Sequence, residues 1–149
     1  MEVYRITLKK FSQTLQASGS AARWNSRGVE MIYTSSARAL ACLENVVHRS
    51  SLGLQKDFRN LIIEIPDTLK IKSVKKLKRG WHRFENYPYT QAIGDSWIES
   101  VESAILRVPS VIIPEEFNFL LNPNHGDFKN IKLLRMEPFT FDGRIKNDL

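Results

Sequence analysis

A single cysteine, Cys42, among 149 residues rules out an internal disulfide, which suits a reducing cytoplasm. No apolar run approaches the roughly 20 residues of a membrane-spanning helix. The opening residues, Met1-Glu2-Val3-Tyr4-Arg5, lack the basic-then-apolar layout of a secretory signal. A cytoplasmic protein without a membrane segment is therefore expected. The three histidines, His48, His82 and His125, are widely spaced and no His-Glu-x-x-His pattern occurs, so no metal-ligand set is predicted. No Gly-x-Ser-x-Gly elbow surrounds Ser110, which makes Ser110, His125 and Asp127 a poor hydrolase triad. His125, in Asn122-Pro123-Asn124-His125-Gly126, reads instead as a turn organiser. Internal repeats and long linkers are also missing, and the length fits one domain with its own core.

What is present in excess is positive charge. Lysine and arginine outnumber aspartate and glutamate 22 to 16, a net charge of +6. Such an excess serves solubility, or it meets an anionic partner such as a nucleotide, a nucleic acid or an acidic protein. The densest run, Lys70, Lys72, Lys75, Lys76, Lys78 and Arg79, precedes Trp81. That pairing of charge with a stacking ring is what single-strand binding needs, but a solvated basic face is the favoured reading of it.

Residues 3–8 alternate with period two and predict a strand. Residues 11–22 can begin as helix but pass into a Ser18-Gly19-Ser20 loop. A short β-rich run covers 30–34, and Ser35 and Ser36 offer N-caps for a helix through about His48. Strands are predicted at 61–65, 103–108 and 117–121, and one or two more over 131–141 around Pro138. Helical spacing covers 89–100. Short strands without a regular βαβ rhythm argue for an α+β fold.

On the helix after Ser36, residues Ala37, Leu40, Ala41, Val47 and His48 share one face, and Glu44 falls in its middle. Burying an unpaired carboxylate costs several kcal/mol. The helix therefore turns this patch toward a cleft or meets a cation there. His48, one turn on, is within reach of Glu44, although its place near the helix C-terminus gives it a structural reason of its own. Upstream, Arg23-Trp24-Asn25-Ser26-Arg27-Gly28 gathers two guanidiniums, an indole and an amide. A guanidinium fork suits pyrophosphate, and Trp24 or Tyr33 offers a ring for a base or a nicotinamide. Arg-Trp neighbours also form ordinary surface cation–π contacts.

Seven blocks in this order, Tyr4-Arg5-Ile6, Arg23-Trp24-Asn25, Ile32-Tyr33-Thr34-Ser35, Leu43-Glu44-Asn45-Val46-Val47-His48, Gly94-Asp95-Ser96-Trp97, Val108-Pro109-Ser110 and Asn122-Pro123-Asn124-His125, span nearly the whole chain. Together they resemble the RES-domain toxins of bacterial toxin–antitoxin pairs, so that residues 1–149 read as one RES domain. The Arg, Glu and Ser that name the family correspond to Arg23, Glu44 and Ser110. The resemblance implies a single α+β domain similar to ADP-ribosyltransferase toxins, with short mixed or antiparallel sheets and a few helices. It also implies a toxin that depletes NAD+ by cleaving the nicotinamide–ribose bond, with ADP-ribosylation of a protein as the alternative activity. Glu44, Arg23 and Tyr33 are the implied catalytic group. Arg5, Arg23, Trp24, Asn25, Tyr33 and Ser110 are the implied NAD+ contacts, Ser110 at the pocket rim. No metal is implied. The implied partner is a cognate DNA-binding, Xre-type antitoxin. One departure stands out: Ala21-Ala22 occupies the place of two glycines usual in the family, and a turn needing positive φ there would be strained.

Overall fold

The computed structural model describes residues 1–146. In chain order they form the strands and helices β1 (Glu2–Leu8), β2 (Ile32–Ser35), α1 (Arg38–Val46), β3 (Phe58–Glu64), β4 (Ile71–Ser73), α2 (Tyr87–Ser100), β5 (Ile105–Pro109), β6 (Phe117–Leu121) and β7 (Lys132–Phe139), with short 3-10 turns between some of them. The strands make one mixed sheet in the order β4-β5-β6-β2-β1-β3-β7. Only β4 and β5 run parallel; every other pair is antiparallel. The expected α+β class holds. Among the described residues no helix is long and apolar enough to cross a membrane.

Alternation decides which side chains meet. Val3, Ile32, Leu61, Ile63, Ile105, Phe119 and Leu121 pack into one cluster, closed by Leu15, Ala17, Leu69 and Phe128 from the connecting segments. Leu106, Val108 and Leu120, from the other parity of β5 and β6, pack with Trp97 of α2 and with Trp24 and Met31. Ile6 and Phe58 pack with Ala41 of α1. At about 25 cal/mol per Å² of apolar surface removed from water, these clusters are the main stabilising force.

Several boundaries differ from the sequence expectation. Neither Ser35 nor Ser36 caps α1: its N-cap is Ala37, with no side-chain capping bond. Ser35 is still the last residue of β2, and its hydroxyl donates across the sheet to Asn118 Oδ1 at 2.8 Å. The possible helix over 11–22 is absent beyond a 3-10 turn at Lys9–Phe11. The basic run hides β4, an edge strand. Residues 131–141 contain a single strand, β7, in which Pro138 is tolerated because β7 is the opposite edge. α2 starts two residues early, with Pro88 in its first turn, where the missing N–H is no loss.

Candidate active site

The cavity begins as a defect in the sheet. β1 and β2 share a single ladder position, Tyr4 opposite Ser35. Arg5 reaches across from β1 and donates from Nη1 to the Tyr33 carbonyl at 2.9 Å. Burial lowers its pKa below the ordinary guanidinium value. Above this junction lies a cavity of about 800 Å³, lined by both strands, by α1, by residues 21–24, by Tyr87 and by the segment after β5.

Glu44 enters the cavity from α1, whose main contacts are with β1 and β2. Leu40 and Ala41 of the same face are buried, whereas Val47 is 53% exposed and His48 is exposed. The apolar stripe thus dips into the core at one end and rims the cleft at the other. No cation meets Glu44: it takes part in no ion pair and no bond to His48 among the described residues. Of the two readings left open by helical spacing, the cleft is the one realised, and the expected contact with His48 is not made.

Two neutral donors hold the carboxylate instead, both on Oε1. Asn118 Nδ2 donates at 2.7 Å and Ser110 Oγ at 3.0 Å. Ser110 Oγ itself accepts from the backbone N–H of Ile112 at 3.1 Å and of Ile113 at 3.2 Å. With those lone pairs engaged, its single proton is directed at Glu44. Oε2 has no partner among the described residues. Ser110, expected on the rim within reach of a ribose, is fully buried. Its place beneath Glu44 corrects that expectation.

The Arg23 loop closes the other side. Its neck is pinched by a bond from Gly28 N to Gly19 O at 2.8 Å, and both glycines have positive φ, as that turn requires. Ala21 and Ala22 do not: Val101 is the non-glycine residue with positive φ among the described residues, so the alanines sit there without strain. The Asn25 amide donates to the carbonyls of Ser20, Ser26 and Val29. Its oxygen accepts from the Tyr33 hydroxyl at 2.5 Å, and that hydroxyl accepts from Trp24 N at 3.1 Å. Asn25 therefore organises the loop, and its polar atoms face the protein. Trp24 is 3% exposed, with its ring 5.8 Å from that of Trp81; it is a core residue rather than an open stacking face. Burial, with the nearby Asp95 carboxylate, pushes the Tyr33 hydroxyl above the usual phenol range and keeps it neutral. The Arg23 guanidinium lies over the Tyr87 ring at 4.6 Å, with Nη1 buried and without a hydrogen-bond partner.

The structure thus gathers Arg5, Arg23, Tyr33 and Glu44 around one cavity, with Trp24, Asn25 and Ser110 as supports. Asn118 and Tyr87 had no place in the sequence reading. His125 lies elsewhere: its Nδ1 accepts from Asp127 N at 3.0 Å and caps a 3-10 turn, as expected of a turn organiser. In the basic run, Lys70 and Lys72 pair with Glu102 and Lys78 lies over the Tyr89 ring.

Fold and site define an α+β domain with a carboxylate and three arginines, Arg5, Arg23 and Arg49, around a split in its sheet. A family model described as RES domain matches residues 2–142, and the chain belongs to that family. A "Prs ADP-ribosylating toxin" of Sphingobium sp. (strain YBL2) is 39% identical over 130 residues, covering 85% of this chain and 81% of the relative. A "Toxin Res" of Yersinia enterocolitica is 34% identical over 153 residues, covering 98% and 100%. In fold, a chain of the M. tuberculosis MbcT-MbcA toxin-antitoxin complex superposes with a TM-score of 0.76 at 15% identity, covering 93% of this chain and 84% of that one.

Proposed function

We propose that this protein is a toxin that consumes NAD+ by cleaving its nicotinamide–ribose bond, with Glu44 as the catalytic carboxylate. The observation that carries the reading is a carboxylate facing a cavity of about 800 Å³, held by neutral donors through one oxygen while the other stays free. Nicotinamide leaves as a neutral molecule, so the site needs no strong general acid. It has to stabilise an oxocarbenium-like ribose, which a fixed carboxylate does by opposite charge and by holding the ribose hydroxyls. Arg5 and Arg23 would grip the pyrophosphate with their forks. Tyr33, neutral and anchored through its hydroxyl, would form the wall beside the nicotinamide or ribose. Trp24, Asn25 and Ser110 would serve by holding that wall, the loop and the carboxylate.

The acceptor distinguishes two readings. Water or phosphate at C1′ makes the protein an NAD+ glycohydrolase or phosphorylase. A protein side chain makes it an ADP-ribosyltransferase, and the designation of the Sphingobium relative favours keeping that alternative. We also infer a cognate antitoxin, DNA-binding and of the Xre type, that covers the cavity in the cytoplasm; a net charge of +6 suits an acidic patch on it.

The test is to incubate the purified protein with NAD+, with and without phosphate, and identify the products by mass. Glu44→Gln keeps the shape and the donor contacts while removing the charge. It is expected to fold and to lose on the order of 10²–10³-fold in nicotinamide release. Full release by that variant would overturn the assignment of Glu44; no NAD+ loss by the folded parent would overturn the activity.

A further inference from the structure

One face of α2 grips the backbone of the Arg23 loop at four positions. Thr90 Oγ1 donates to the Arg23 carbonyl at 2.6 Å, and Gln91 Nε2 to the Ala22 carbonyl at 2.9 Å. Gly94 lies so close to the Trp24 carbonyl that a Cβ would stand 1.7 Å from its oxygen. Asp95 accepts from Ser26 N at 2.9 Å and from Ser26 Oγ at 2.5 Å. The spacing i, i+1, i+4, i+5 places all four on one side of the helix. Gly94 and Asp95 open the Gly94-Asp95-Ser96-Trp97 block, to which the catalytic reading gives no task.

The same helix supports the Arg23 side chain. Tyr87, three residues before Thr90, puts its ring beneath the guanidinium at 4.6 Å. Thr90 is fully buried, and three carbonyls lie within reach of its one hydroxyl proton: Arg23 at 2.6 Å, Tyr87 at 3.2 Å and Asn86 at 3.5 Å. The shortest takes the proton. The bond therefore ties Arg23 to the turn of α2 that carries Tyr87.

We propose that this face of α2 positions Arg23, with Thr90 as the positioning residue, and so sets the grip on the substrate's diphosphate rather than the bond-breaking step. The inference rests on the NAD+ reading. The bidentate hold of a guanidinium on phosphate depends on direction, and a fork displaced at its backbone loses it. Glu44 and its donors, Ser110 and Asn118, lie outside the grip, so the carboxylate keeps its geometry when the grip is loosened.

Thr90→Val removes the hydroxyl and keeps the shape, and Thr90→Ser restores the hydroxyl. ADP-ribose, which carries the diphosphate without the scissile bond, is the probe, titrated by calorimetry beside steady-state kinetics with NAD+. Thr90→Val is expected to weaken ADP-ribose binding about tenfold and raise KM by a similar factor, with kcat within about twofold, the pattern of lost uniform binding. Thr90→Ser is expected to match the parent. Unchanged affinity and KM in Thr90→Val, a fall in kcat alone, or an equally deep loss in Thr90→Ser overturns the proposal. If the parent neither binds ADP-ribose nor consumes NAD+, the functional reading has failed and amide exchange decides the positioning claim. Faster exchange at Trp24 and Ser26 in Thr90→Val, restored in Thr90→Ser, upholds it; unchanged exchange overturns it.

Discussion

Replacing Gly94 by alanine tests the contact between α2 and the Arg23 loop with an unambiguous sign. In a helix interior alanine is ordinarily the better residue by about 1 kcal/mol. Here the new Cβ would lie 1.7 Å from the Trp24 carbonyl oxygen and 2.7 Å from its carbon, where real Cβ contacts stay above 3.0 Å. Both partners are backbone, so no rotamer change relieves the clash, and helix and loop must part by more than about 1 Å in a close-packed interior. Overpacking of that kind costs about 1–3 kcal/mol. The separation also stretches the bonds from Thr90, Gln91 and Asp95, each worth about 1 kcal/mol and more where a carboxylate accepts. Less the helix gain, the net loss is about 2–4 kcal/mol, or roughly 5–15 °C in Tm for a chain of this size. Thermal and urea unfolding followed by circular dichroism measure it. Ala92→Gly, at an exposed position of the same helix, serves as the reference and should lose only about 1 kcal/mol. A Gly94→Ala protein as stable as the parent, or more so, would refute the reasoning.

Three further outcomes follow from the geometry. Val101, the C-cap of α2, holds φ at 52° and is 55% exposed; Val101→Gly should relieve the left-handed penalty at little contact loss and raise stability by about 1 kcal/mol, so a lower Tm would count against it. The Tyr33 pKa is raised in the folded state, mainly by burial. Above the ordinary phenol value of about 10 the unfolded chain therefore holds fewer protons than the native one, and stability falls as pH rises. Tyr33→Phe should flatten that alkaline limb in denaturation measured across pH, and an unchanged slope would be inconsistent with it. Asn118→Leu should lower nicotinamide release by freeing Glu44 from its shorter bond while the sheet still forms; full activity with a native spectrum would show that Ser110 alone suffices.

How far the sequence speaks depends on where the determining contacts lie. β1 is legible because its alternation is local, β6 because it is a short apolar run, and α2 because its apolar spacing runs unbroken to Ser100. β4 is masked by the lysines that keep a sheet edge soluble. The start of α1 is misread because Ser35, a good cap by residue type, is bound across the sheet to Asn118. Glu44 stands out by helical spacing alone, whereas Ser110, a poor nucleophile on its own surroundings, joins the site only through family likeness. Asn118 left a weak signal: a polar residue sharing the parity of Leu120 in a strand otherwise apolar. Trp24 and Asn25 look like ligand groups in a polar loop; α2 packs against Trp24 through Trp97 and Gly94, while the loop's own carbonyls and Tyr33 hold Asn25. Nothing in residues 23–28 encodes the packing on α2, since the α2 partners of the loop are about 70 positions away.

The manner in which Glu44 is held bears on why it stands in the apolar stripe of α1. Three arginines, Arg5, Arg23 and Arg49, line the same cavity, and an ion pair with any of them would be the ordinary way to settle a half-buried carboxylate. Each arginine is held elsewhere, Arg5 by the Tyr33 carbonyl, Arg23 over the Tyr87 ring and Arg49 by the Asn45 side chain and over the Phe58 ring, and none comes within ion-pair distance of Glu44. Asn118 and Ser110 fix the carboxylate without cancelling its charge, because neutral donors carry dipoles only. A cation that forms briefly on a ribose then meets a full negative charge at a fixed place, and a diphosphate meets the positive ones. Separate anchoring of opposite charges in one cavity is wasteful for a structural site, where pairing would stabilise both. For a site that must meet a molecule carrying both signs, it leaves each charge available to its counterpart.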